Sequence, residues 1–287
     1  MEKEDWTYII KSKTSLFDIN FTQLWKYKDL IFLFVKRDFT TAYKQTILGP
    51  IWHFLQPLFS SFIFAFVFSF MAKVKTPDGI PPVLFYLSGI VPWNFFSECA
   101  NKNSNVFRSN SNIFGKVFFP RLSVPVSTVI SSFLRFIIQI FLFFLIFFFF
   151  YFQKKVIINV NSNLIFFPAL IVIMACLGLG IGLIVSSITV RYRDLANLVT
   201  FGIQILMYLS PVIFPLSMWQ GKNVKWVESI VMANPMTAVI EMFRNGFLGI
   251  GTCSAFALIY SSVFALIVLL TGLLLFNKTE KRFIDIV

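Results

Sequence analysis

The chain is poor in the residues that catalytic centres are made from. Of its 287 residues only 13 are Asp or Glu, one is His and three are Cys. The acids are dispersed apart from Glu2, Glu4 and Asp5, and no DxD occurs, so the clustered carboxylates used by hydrolases and glycosyltransferases are missing. Cys99, Cys176 and Cys253 each fall in or beside a different apolar run without CxxC spacing. They read as small buried residues rather than metal ligands or disulfide partners. His53 stands alone at the start of an apolar run, as an interfacial polar residue. No GxxxxGK[ST] is present, and Gly178-Leu179-Gly180-Ile181-Gly182-Leu183 departs from GxGxxG at its last position with no strand before it. The chain is therefore expected to bind no nucleotide, metal or cofactor of its own, and to act as a conduit rather than a catalyst.

What it has is apolar bulk. Hydrophobic residues make up 57% of the chain and 39 of them are Phe, more than a soluble domain could hide. A helix needs ~20 apolar residues to cross a hydrocarbon core of ~30 Å. Six stretches qualify: about 51–72, 82–104, 122–152, 164–189, 195–216 and 254–276. The formal charge of +12 sits at the ends of these runs rather than in one patch, which fits topology and not nucleic acid. With the amino terminus inside, seventeen of the 25 Lys and Arg lie on inner segments, seven on outer ones, and Arg135 within the third span. Both termini are thus expected in the cytoplasm. The first 45 residues are too charged for a secretory signal, so an uncleaved amino terminus is expected.

The expected fold is an all-α integral membrane protein of six transmembrane helices, with an arm over 1–50, a membrane domain over 51–276 and a tail over 277–287. From Leu24, apolar residues recur near helical spacing (Tyr27, Ile31, Phe34, Val35) opposite Lys26, Asp29, Lys36 and Lys44, the pattern of a helix lying in the bilayer interface. Gly49-Pro50 then breaks the helix and forces a new direction, an elbow at the membrane surface. Between spans two and three, the run from Asn112 to Arg121 mixes bulk with charge. It is either a plain amphipathic loop helix or a coupling element docking on a cytoplasmic partner. Before the last span, Trp226 to Ala233 and Met236 to Leu248, separated by Asn234-Pro235, are each too short to cross the bilayer. They suggest a re-entrant helical hairpin over about 223–249, in which Glu241 and Arg244 are spaced to pair.

Span two carries Asn94, Glu98, Asn101 and Asn105 at spacings of four, three and four, a polar stripe on one helical face. Polar groups at depth need partners, which hydroxyl-rich sugars supply in passage, while Trp93, Phe95 or Phe96 would stack on their apolar faces. The alternative is a wet cytoplasmic helix end. Arg135 precedes the almost wholly apolar run Phe136 to Phe152 and is expected near the inner boundary, snorkelling or meeting a diphosphate head group. Gly178, Gly182 and Ser186 put small side chains on one face of span four for close helix packing.

Several of these segments share their wording with a known family. Arg37-Asp38, Tyr43-Lys44-Gln45-Thr46, Leu48-Gly49-Pro50, Trp52 and Gln56-Pro57 resemble the start of the first span in ABC-2 type permeases that export polysaccharides. Gly89-Ile90-Val91-Pro92-Trp93, the Asn112, Lys116 and Phe119-Pro120-Arg121 run, Tyr192-Arg193-Asp194, Asn234-Pro235-Met236 with Glu241 and Arg244, and Lys278-Thr279-Glu280-Lys281-Arg282-Phe283 continue the resemblance in order. The resemblance implies a permease subunit in a bacterial inner membrane, working as a homodimer with two ATPase subunits that bind ATP and Mg. Its cargo would be a lipid-linked polysaccharide such as O-antigen, capsule or teichoic acid, moving among membrane lipids. On this likeness Arg37, Asp38, Tyr43, Lys44, Asn112, Lys116 and Arg121 face the ATPase. Asn234, Pro235, Glu241 and Arg244 form the external gate. The rivals are an ABC-2 exporter of a drug or small lipid, a membrane enzyme acting on polyprenyl sugars, and a scaffold without transport.

Overall fold

The computed structural model describes residues 21–44, 46–47, 49–117, 119–153, 161–190, 192, 194–218, 225–252 and 254–286. Residues 1–20 of the arm, Gln45, Leu48, Lys154, Lys155, Arg191, Arg193, Lys222 and Cys253, which entered the readings above, lie outside these. The described chain is helical and contains no strand. In order the helices are α1 (Phe21–Lys26), α2 (Lys28–Tyr43), α3 (Trp52–Phe64), α4 (Pro82–Ser104), α5 (Val106–Ser109), α6 (Ser111–Phe114), α7 (Ser123–Phe152), α8 (Phe167–Thr189), α9 (Leu195–Tyr208), α10 (Lys225–Ala233), α11 (Pro235–Leu248) and α12 (Ala255–Ile286). A 3₁₀ turn, Gly49–Ile51, leads into α3, which continues as a π-helix over Ala65–Met71.

Among the described residues, four helical runs are long and apolar enough to cross a membrane: Gly49–Met71, Ser123–Phe152, Ser162–Thr189 and Ala255–Glu280. The second expected span, α4, has the length at 23 residues, but Glu98 and Lys102 make its last turns polar. The fifth differs from expectation. α9 stops after 14 residues, ~21 Å of helix, because Leu209 to Phe214 fold into turns before Pro215. At the other extreme, α12 runs unbroken through the expected boundary at 276 and ends only at Ile286.

Small residues decide how closely the helices cross. The face of α8 expected for packing meets α4: a Cβ at Gly178 would lie 2.5 Å from the Cys99 Cβ and 2.9 Å from the Phe96 carbonyl oxygen. Ser186 completes the row, its Oγ accepting the Phe107 amide at 3.5 Å. A second face was not anticipated. Gly180 of α8 and Gly272 of α12 touch backbone to backbone, so a Cβ on Gly272 would stand 2.6 Å from the Gly180 carbonyl oxygen. Where lipid tails are as apolar as the side chains, such close approach is a main source of helix association.

Phenylalanine performs the same task between α7 and α11. Phe143, fully buried, packs edge-on against Phe243 at 5.4 Å and Phe247 at 5.7 Å between centroids. Phe144 and Phe167 also close on Phe247, at 5.4 and 5.3 Å. At the opposite end a separate aromatic core joins α2, the α5–α6 segment and α12 through Phe34, Phe107, Phe114, Phe119 and Phe276.

Adding a methyl at the Gly180–Gly272 crossing overpacks it, at a cost of about 1–3 kcal/mol. Gly272→Ala is expected to lower the Tm of the purified protein by roughly 3–10 °C, whereas Gly115→Ala, with its nearest neighbour at 3.8 Å, leaves it unchanged in the same thermal scan.

Candidate functional site

Three polar centres follow one another along the bundle, and α4 or its continuation takes part in each. The first lies at the end that carries α5 and α6. Asn112 and Lys116 are exposed there, but Arg121, expected on the same surface, is only 8% exposed. It donates to the Glu280 carbonyl at 2.8 Å, stands 3.9 Å from that residue's carboxylate, and covers the Phe114 ring at 5.6 Å. Burial lowers the pKa of this guanidinium from its ordinary value and Glu280 partly offsets the shift. The long run of α12 past 276 is thus tied to the segment before α7. On α2, Arg37 donates to its neighbour Asp38 through Nε at 3.1 Å and Nη2 at 2.9 Å, and covers the Phe34 ring. Arg37 and Asp38 line a cleft of about 710 Å³ with Thr41, Asn101, Lys102 and Asn105. Lys44 is exposed at the helix end.

The elbow links this end to the second centre. Gly49 has φ +49°, a left-handed conformation that disfavours any side chain, and Pro50 follows in the 3₁₀ turn. Across the bend, Tyr43 from α2 meets His53 from α3 edge-on at 5.7 Å. The Tyr43 hydroxyl is buried without a hydrogen-bond partner, and burial raises its pKa, with Arg135 opposing and Glu98 adding to the shift. Those two charges form the second centre. Glu98 lies 2.5 Å from Arg135 Nε and 2.6 Å from Lys102 Nζ.

Arg135 does not snorkel: at 1% exposed it is turned into the α4–α7 seam. There its Nη2 donates to Ser132 Oγ at 3.3 Å, while the Nε proton is not aimed at the carboxylate, so the contact with Glu98 is ionic. One turn further, Asn94 donates to Gln139 at 3.3 Å. Asn94, Glu98 and Asn101 lie along one face of α4, partly exposed, with the Asn101 Oδ1 lacking a donor. Trp93 and Phe96 are buried against each other inside the bundle, 5.3 Å apart.

The third centre is built on α11. Asn234 caps the helix by accepting the Met236 amide at 3.0 Å, Pro235 occupies its first turn, and Gly249 closes it at φ +68°. Pairing of Glu241 with Arg244 is seen at 3.3 Å. Arg244 does far more than that. Only 1% exposed, it donates to Ser88 Oγ at 3.1 Å and to the carbonyls of Pro211, Val212 and Phe85 at 2.5, 3.2 and 3.4 Å, and lies over the Phe85 ring at 3.9 Å. Glu241 in turn accepts the Thr252 amide at 3.1 Å. Ser88 and Gly89 had no assigned part in this centre. A Cβ at Gly89 would sit 2.9 Å from Arg244 Nη2, so the guanidinium reaches the turns after α9 only because this residue is glycine. The signal was there: a Ser-Gly pair inside an otherwise apolar span has a local cause.

This order of elements and sites can be set beside known proteins. The sequence profile of the ABC-2 type transporter family matches residues 29–248, from α2 to the end of α11. The chain belongs to the ABC-2 type transporter family. It is similar to the O-antigen export system permease protein RfbA of Klebsiella pneumoniae, 29% identical over 262 residues that cover 90% of this chain and 95% of that one. It is also similar to the RfbA of Myxococcus xanthus, at 23% over 77% of this chain and 81% of the other, and to the polysialic acid transport protein KpsM of Escherichia coli, at 24% over 85% and 91%.

Removing Arg244 strands a buried carboxylate and three carbonyls. Arg244→Ala is expected to destabilise by about 3–5 kcal/mol, as breaking a buried pair does. The Arg244→Ala, Glu241→Ala double variant should lose less than the sum of the single losses in a thermal-unfolding cycle.

Proposed function

We propose that the chain is the permease subunit of an ATP-driven exporter of polysaccharide. The observation that carries this is the near end-to-end likeness to O-antigen export and polysialic acid transport proteins, which covers 95% and 91% of their lengths. Two copies pair in the bacterial inner membrane with two ATPase chains, which supply the nucleotide site this sequence lacks and bind ATP and Mg there. The cargo is a lipid-linked glycan of the O-antigen or capsule type. Both termini are cytoplasmic, α4 and the α9 segment complete six crossings, α2 lies in the interface, and α10 with α11 is a re-entrant hairpin that gates the external side.

In this reading α2 and the α5–α6 segment receive the stroke of the ATPases through Arg37, Asp38, Tyr43, Lys44, Asn112 and Lys116, with Arg121 passing it to α12. The elbow at Gly49 and Pro50 turns it into the first span. The glycan moves past Asn94, Glu98 and Asn101, whose partly exposed polar groups bind each sugar weakly, while Trp93, Phe96 and Arg135 support that face from within. A neutral amide suits a sliding polymer, since it exchanges one hydroxyl for the next at little net cost.

Gly49→Ala with Pro50→Ala favours one continuous helix and strains the φ +49° position. In cells, this double variant is expected to assemble with its ATPase and still hydrolyse ATP, yet to lose surface polysaccharide. Asn101→Leu should lower surface display without lowering the membrane abundance of the protein. Wild-type display by both variants, read by antibody staining of intact cells, would remove elbow and stripe from the mechanism.

A further inference from the structure

A cavity of about 450 Å³ lies beside the third polar centre, between α10 and α11 on one side and the first two turns of α12 on the other. Its size is that of a small-ligand pocket, about 300–1,000 Å³. Met232, Ala238, Met242, Phe256 and Ala257 supply much of its surface. Polar residues also reach it, but their polar groups are engaged elsewhere. Thr237 donates to the Val231 carbonyl, Tyr260 to that of Ala233 and Ser261 to that of Pro235. Glu241 is held by Arg244 and the Thr252 amide, and Ser254 accepts the Ala257 amide. A sugar entering here would find few free donors or acceptors; a hydrocarbon would meet carbon on most sides.

The level of the cavity says where such a hydrocarbon comes from. α12 is one of the runs able to cross a membrane, and Phe256, Ile259 and Val263 on its first turns are 82, 61 and 51% exposed. Trp226, at the start of α10, is 67% exposed. Aromatic residues at the end of a span mark the depth where head groups give way to acyl chains. Phe256 belongs both to that exposed flank and to the wall of the cavity, and an apolar void does not fill stably with water.

We propose that this cavity is a lipid site that takes one acyl chain of a phospholipid from the leaflet on the hairpin side. One wall is α11, which carries Glu241 and Arg244, and the other is α12, so the chain acts as a wedge that sets how the hairpin rests against the last span. This goes beyond the transport reading and stands independently of which polymer is carried.

The test places the full-length protein in vesicles of phosphatidylethanolamine and phosphatidylglycerol containing a trace of phosphatidylethanolamine with a diazirine on its acyl chain. After illumination, peptides bearing Met242, Ala257 or Ser261 should be labelled well above the exposed flank at Ile267. Ala257→Trp, which fills the cavity, should reduce that labelling to the level of Ile267; Ser229→Trp, approaching from α10, serves if the first variant fails to fold. Uniform labelling along α12 in the wild type, or labelling indifferent to both substitutions, overturns the proposal. So does displacement of the label by a soluble oligosaccharide, which would make the cavity a sugar site.

Discussion

Where the fifth apolar stretch stops being a helix, backbone carbonyls are left facing the inside of a membrane protein, and one guanidinium takes them. Arg244 is the only side chain type that could do so, with five donors in a fixed fork and a charge that Glu241 balances three residues away. An unpaired carbonyl in hydrocarbon costs several kcal/mol, so irregular backbone at this depth exists only where protein covers it. The position of α11, the glycine at 89 and the turns after Tyr208 all bear on that one cluster.

The other two centres follow the same rule with different partners. Glu98 and Arg135 neutralise one another in the seam between α4 and α7, and Arg121 lies across the end of α12. Each joins segments far apart in sequence. α4 is too polar to be a passive span because it is the strut on which these contacts are arranged.

Much of this was legible in the sequence because membrane helices carry strong signals. Apolar length placed α4, α7 and α8 within a few residues, and proline, glycine and asparagine marked the elbow and the cap of α11. Three features were not legible. α9 ends early because Arg244 stabilises its unwound continuation, a contact between residues more than thirty apart that no local pattern encodes. Arg135 points inward because its partner lies on another helix. The Gly180–Gly272 contact escaped because neither glycine falls in the four-residue row of Gly178, Gly182 and Ser186. The Phe-rich stretches, which marked apolar bulk in the sequence, also lock α7 onto α11 through Phe143 and Phe247.

The contact between Gly180 and Gly272 has a mechanical meaning. A junction of two main chains has no side-chain torsions with which to accommodate sliding or twist, so α8 and α12 behave as a riveted pair. Any rearrangement of the protein must then be taken up by parts held less rigidly. The first span, with its glycine bend at one end and π-helical register at the other, and the short α9 are the parts free to do so. The molecule divides into a stiff frame and two compliant edges, and the division is drawn by two missing methyl groups.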